Sequence, residues 1–114
     1  MSEERRDTDR VEILGDLLGE IMVFQPMRVT QISRHGAQIE TPFPLQLNSL
    51  HEVRLTLGDD SIVLKARIVH SSVSDVDQEH VLYRSGVQFV EPSEPVARVI
   101  AEFVERLTAQ RRGA

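Results

Sequence analysis

Residues 52–68 read as two strands folded back on one another. In EVRLTL (52–57), Val53, Leu55 and Leu57 alternate with polar side chains, and in SIVLKARIVH (61–70), Ile62, Leu64, Ala66 and Ile68 do the same. A period of two puts each set on one face of its strand. Gly58-Asp59-Asp60 supplies the turn between them. An isolated hairpin with one apolar face is marginal in water. The rest of the chain must therefore supply strands or a helix to cover that face.

The flanking sequence supplies both. GEIMVF (19–24) and MRVTQIS (27–33) read as strands separated by the turn signal Gln25-Pro26. Arg34-His35-Gly36 reads as a tight connection in which Gly36 is expected at a positive φ. In AQIET (37–41), Ala37, Ile39 and Thr41 share one face. PFPLQLNSL (42–50), with two prolines, reads as a loop, and so does the polar stretch SSVSDVDQEH (71–80). VLYRSGVQFV (81–90) reads as a last strand with Val87 and Phe89 on one face. Residues 11–18 are apolar but broken by Gly15 and carry no assignment. Short alternating strands between turns predict a closed antiparallel barrel, since closure removes exposed edges.

After residue 92 the period changes. Ser93 is placed as an N-cap with Pro95 in the first turn, and Val96, Val99, Ile100, Phe103, Val104 and Leu107 recur at helical spacing. Arg106, Arg111 and Arg112 lie toward the end, where cations suit the helix dipole. Docking on its own barrel accounts for the apolar stripe. Its use by a partner protein, or by a second copy in a homodimer, is the lesser alternative.

The 114 residues suit one domain. No apolar run approaches the ~20 residues of a membrane span, and MSEERRDTDR lacks the apolar core of a signal peptide. With no cysteine there is neither a disulfide framework nor thiolate chemistry, and these features together favour the cytoplasm. The net charge of −5 argues against nonspecific binding of duplex nucleic acid, which rests on many phosphate contacts. Of 13 basic residues only Lys65 is a lysine, a bias that a GC-rich genome explains for most of the arginines.

Two arginines stand apart from that bias. Arg6 and Arg10 form an Arg-x-x-x-Arg pattern on a polar arm, residues 1–12, expected to be flexible ahead of a barrel-and-helix unit over 13–112. Guanidiniums are suited to forked contacts with phosphates and guanine edges. About twenty residues on, Ser33 and Gly36 form a Ser-x-x-Gly turn. With Ile32 facing the interior, Gln31 and Ser33 are expected to face outward, free to meet a ligand.

This order of arginine pair, strand-turn-strand, barrel strands, SGVQF (85–89) and terminal helix resembles the PilZ domain family over about residues 5–107. The family's signature is Arg-x-x-x-Arg followed by Asp/Asn-x-Ser-x-x-Gly. The resemblance implies a six-stranded antiparallel β-barrel with a C-terminal helix, and a receptor for the bacterial second messenger cyclic di-GMP rather than an enzyme. It implies that Arg6 and Arg10 grip phosphates and guanine edges, that Arg5 adds a stacking or phosphate contact, and that Ser33 and Gly36 line the barrel side. It also implies an output such as motility or secretion; the mechanism expected here is that ligand orders the arm and a downstream protein reads the surface so formed. One position departs: Gln31 stands where the family has Asp or Asn. A neutral amide on a longer stem forfeits a charge-assisted hydrogen bond worth roughly 1–3 kcal/mol, or about five- to hundredfold in affinity. That leaves a second expectation, a degenerate PilZ domain that binds no nucleotide and serves as an adaptor.

Other constellations are weaker. Asp75, Asp77 and Glu79 alternate as in a calcium loop but lack the glycine and distal glutamate of an EF-hand. Histidines 35, 51, 70 and 80 show no metal-ligand spacing, so no metal or other cofactor is expected. His35 beside Ser33 lacks an orienting third residue for nucleophilic catalysis.

Overall fold

A computed structural model describes residues 9–21, 25–76 and 80–113. Its elements are β1 (Val11–Glu12), β2 (Leu18–Ile21), β3 (Gln25–Ile32), β4 (Gly36–Thr41), β5 (Leu50–Leu57), β6 (Asp60–Val76), β7 (Val81–Val90) and α1 (Glu94–Gly113). Every strand pairing is antiparallel. Hydrogen bonds run from β3 through β2, β5, β6, β7 and β4 and back to β3, which closes a six-stranded barrel. The seventh strand, β1, adds to β3 through Val11↔Ile32 and Glu12↔Gln31.

The hairpin that anchors the sequence reading is β5–β6, with Val53 opposite Leu64 and Leu55 opposite Ile62. Val53, Leu55, Leu57, Ile62, Leu64, Ala66 and Ile68 are all buried, as their alternation requires. Val29, Ile32, Ala37, Ile39, Val87 and Phe89 join them in the barrel interior. Helix α1 packs on β1, β5 and β6 and sends Ile100 and Val104 into the same core. Its N-terminus is capped by Ser93, whose Oγ accepts from Val96 N at 3.4 Å and whose carbonyl accepts from Ala97 N at 2.8 Å.

The structure departs from expectation in several places. Residues 71–76 continue β6 rather than forming a loop, paired with 81–85 of β7. The sequence there is polar because these residues lie on an exposed ribbon, so alternation has no core face to report. Gln25 and Pro26 belong to β3, paired with Ile21 and Glu20. Proline is tolerated because β4 joins the other edge of β3 only from Arg28 onward. The unassigned stretch 11–18 holds β1 and the start of β2, both on one edge of β3. Ile13 N donates to Thr30 O and Val29 N to Leu17 O, while Leu14 bows out, 79% exposed, and Gly15 takes a φ of 102°.

No described helix is long and apolar enough to cross a membrane.

Candidate functional site

The Ser33–Gly36 turn is built by serine rather than by left-handed backbone. Ser33 N donates to Gly36 O at 2.8 Å, while the Ser33 hydroxyl accepts from His35 N at 3.2 Å and Gly36 N at 3.1 Å. The hydroxyl also donates to Gly36 O at 3.3 Å. Ser33 is buried, so its hydroxyl is engaged by the turn and is not the outward, unoccupied group the alternation predicted. Gly36 does not take the positive φ expected of it; of the described glycines only Gly15 and Gly58 do. Glycine is required at 36 because a Cβ would run into the Val87 carbonyl. The turn thus lies hard against β7, and Phe89 N donates to His35 O at 2.8 Å to hold it there.

A β-bulge in β3 controls where Gln31 points. Val29 and Ile32 are both buried, which strict alternation forbids for residues three apart. The register shift between Val29 and Gln31 supplies the extra residue, and Gln31 is left half-buried on the exterior. Pairing across β3, β4, β7 and β6 then aligns Gln31, Gln38, Gly86 and His70 in one row.

Arg10 joins this row from the far side. Its place one residue before Val11, which pairs with Ile32, brings it to the Ser33 end of β3. A Cβ at Gly86 would lie 3.5 Å from Arg10 Nη2 and 3.4 Å from His70 Cβ. The guanidinium therefore rests over the one position of the row without a side chain. Arg10, Ser33, His35, Gly36, Val69 and Gln88 border an open groove of about 260 Å³. Arg10 makes no ion pair or hydrogen bond with the described residues.

Among the residues singled out in the sequence, Arg10, Ser33 and Gly36 come together in this groove. Gln31 does not join them; it borders a separate cavity of about 360 Å³ with Glu12, Arg28, Thr30, Gln38 and Arg84. There Thr30 Oγ1 bonds Gln38 O at 3.2 Å, and next to it Arg84 Nη2 meets Glu40 at 3.7 Å and Ser74 Oγ at 3.2 Å. Arg5 and Arg6 lie outside the described residues, as do Asp77 and Glu79. Gly86 was not singled out as a site residue. The signal was present, since a glycine inside an alternating strand marks a close approach by another group.

The PilZ domain family model matches residues 4–106. The chain belongs to the PilZ family. Solved structures share the fold of this PilZ domain at low identity. MrkH of K. pneumonia is 18% identical with a TM-score of 0.78, over 93% of this chain and 50% of that one. The PilZ domain of YcgR from Escherichia coli, solved with c-di-GMP, is 16% identical with a TM-score of 0.72 over 92% of each chain. PlzA of Borreliella burgdorferi, in complex with c-di-GMP, is 12% identical with a TM-score of 0.66, over 96% of this chain and 54% of that one. This PilZ domain thus spans about half the length of MrkH and of PlzA. No curated protein sequence matches it.

Proposed function

We propose that this PilZ domain is a receptor for cyclic di-GMP and holds it in the groove beside the Ser33–Gly36 turn. The observation that carries the reading is the Arg10 guanidinium, close to Gly86 at the groove and unpaired among the described residues. The c-di-GMP complexes of YcgR and PlzA, which share the fold, support it. Arg10 meets a phosphate or a guanine edge, and Arg6, with Arg5 beside it, closes over the ligand from the arm. The turn serves as a rigid floor: the Ser33 hydroxyl fixes its backbone, and Gly36 lets β4 and β7 meet closely. The groove of about 260 Å³ is smaller than a usual small-molecule pocket of roughly 300–1,000 Å³. The arm supplies the missing wall. Ordering such a segment costs about 2–5 kcal/mol of the gross interaction energy, and the ordered arm becomes a surface that a downstream protein reads.

Titration calorimetry with cyclic di-GMP tests this. Binding is expected, weakened at least about tenfold by Arg10→Ala. Absence of heat from the unmodified protein near about 1 mM ligand, a limit of roughly −4 kcal/mol, overturns the receptor reading.

One observation favours a second reading. Gln31 is an amide in a cavity of its own, away from Arg10, so the second motif is split as well as substituted. The domain would then be an adaptor that binds a protein without nucleotide. Its partner capture should survive joint Arg6→Ala and Arg10→Ala substitution.

A further inference from the structure

Arg10 borders two cavities. On its other side lies a cavity of about 350 Å³ walled by Arg10, Val11, Thr108, Arg111 and Arg112. Thr108, Arg111 and Arg112 are spaced i, i+3, i+4 and so share one face of α1. Packing of α1 on β1 brings that face to the start of β1, where Arg10 stands. Three arginines from two parts of the chain therefore line one space, and among the described residues no carboxylate lines it. None of the three has an ion-pair or hydrogen-bond partner among the described residues. Several arginines elsewhere on the exterior meet carboxylates: Arg54 with Glu20 at 3.0 Å, Arg98 with Glu94 at 3.4 Å and Arg84 with Glu40 at 3.7 Å. Unpaired clustering is all the more marked in a chain of net charge −5.

The helix dipole accounts for cations in the last turn of α1. It does not account for a third cation brought beside them by another element. Like charges gathered around one open space repel, and a doubly accepting oxyanion relieves that repulsion while filling several N–H donors at once.

We infer that Arg10, Arg111 and Arg112 form a phosphate-binding subsite continuous with the groove. A phosphate-bearing ligand seated there bridges the lead-in to β1 and the end of α1. This rests on the proposed receptor reading for its natural source of phosphate, the phosphodiester of a cyclic dinucleotide. A free phosphate offers the same chemistry.

The test compares three forms of the whole chain: unmodified, Arg111→Ala/Arg112→Ala, and Arg98→Ala/Arg106→Ala. The last removes the same charge from α1 away from the cavity. Calorimetry with cyclic di-GMP should show at least about tenfold weaker binding for the first variant and unchanged binding for the second. Far-UV circular dichroism should show the helix intact in both. Where cyclic di-GMP binds, equal affinity of the unmodified protein and Arg111→Ala/Arg112→Ala overturns the subsite and leaves the receptor reading standing. An equal loss in both variants also overturns the subsite, because it reports bulk charge. Where the unmodified protein does not bind cyclic di-GMP, the receptor reading falls, and inorganic pyrophosphate decides. Shifts of the Nε–Hε resonances of Arg10, Arg111 and Arg112 on adding pyrophosphate then support the subsite, and unmoved resonances overturn it.

Discussion

A Cβ on residue 36 would collide with the backbone carbonyl of Val87, an atom fixed by the pairing of β4 with β7. Nothing flexible lies in the way to yield. Gly36→Ala must push two strands apart, and overpacking of this kind costs typically ~1–3 kcal/mol. Urea unfolding should show that loss as a lower midpoint, while an unchanged midpoint would mean the strands can separate freely. The sequence announced the glycine but not which constraint it answers. A turn glycine and a close-approach glycine look alike in one chain, and only the position of Val87, fifty-one residues away, tells them apart. Ser33 hid its role for a similar reason. Alternation describes a strand, and Ser33 sits just past the end of one, where its hydroxyl answers to the turn.

Among the elements, the strands legible in sequence were those with a core face to alternate against. β4, β5 and the first half of β6 follow a strict period of two, because one side of each meets the interior. The outer half of β6 meets solvent on both faces, and the bulge in β3 resets its phase, so neither could be read from period alone. The bulge matters for the candidate site, since it is what turns Gln31 outward. Helix α1 was legible throughout, because its stripe of Val96, Ile100, Val104 and Leu107 has a single surface to cover. Ile100 is fully buried at the centre of that contact. Ile100→Ala should cost about 2–5 kcal/mol in chemical denaturation, from lost transfer energy and the cavity left behind. A loss below about 1 kcal/mol would show that the helix does not cover the barrel tightly, because a collapsible site is cheap to truncate.

For the whole molecule, acid sensitivity has an identifiable source at His51, where among the described residues a lowered pKa is resolved. It stands on β5 with Nε2 2.8 Å from Ser49 Oγ, and burial holds its pKa below the ordinary 6.5. Above pH 6.5 the imidazole is neutral in both folded and unfolded chains, and its contribution is fully present. As pH falls through that value the unfolded chain takes up the proton first, so stability declines until the lowered folded pKa is reached. Denaturant midpoints measured between about pH 7.5 and 5 should therefore fall, and fall less in His51→Gln. Parallel curves for the two proteins would remove His51 as the cause.

The closed ring of six strands also decides where this molecule has slack. Each strand of the ring is held on both edges, so no pair can slide without breaking its neighbours. On the proposed receptor reading such a barrel is ballast: it stays put while something else carries the news. The parts outside the ring are β1 with its lead-in, the outer ribbon of β6 and β7, and α1. Arg10 belongs to the first of these and faces the last across one cavity. Any message that an occupant leaves on this domain is thus written at its periphery, at the point where the chain enters the barrel and the point where it leaves.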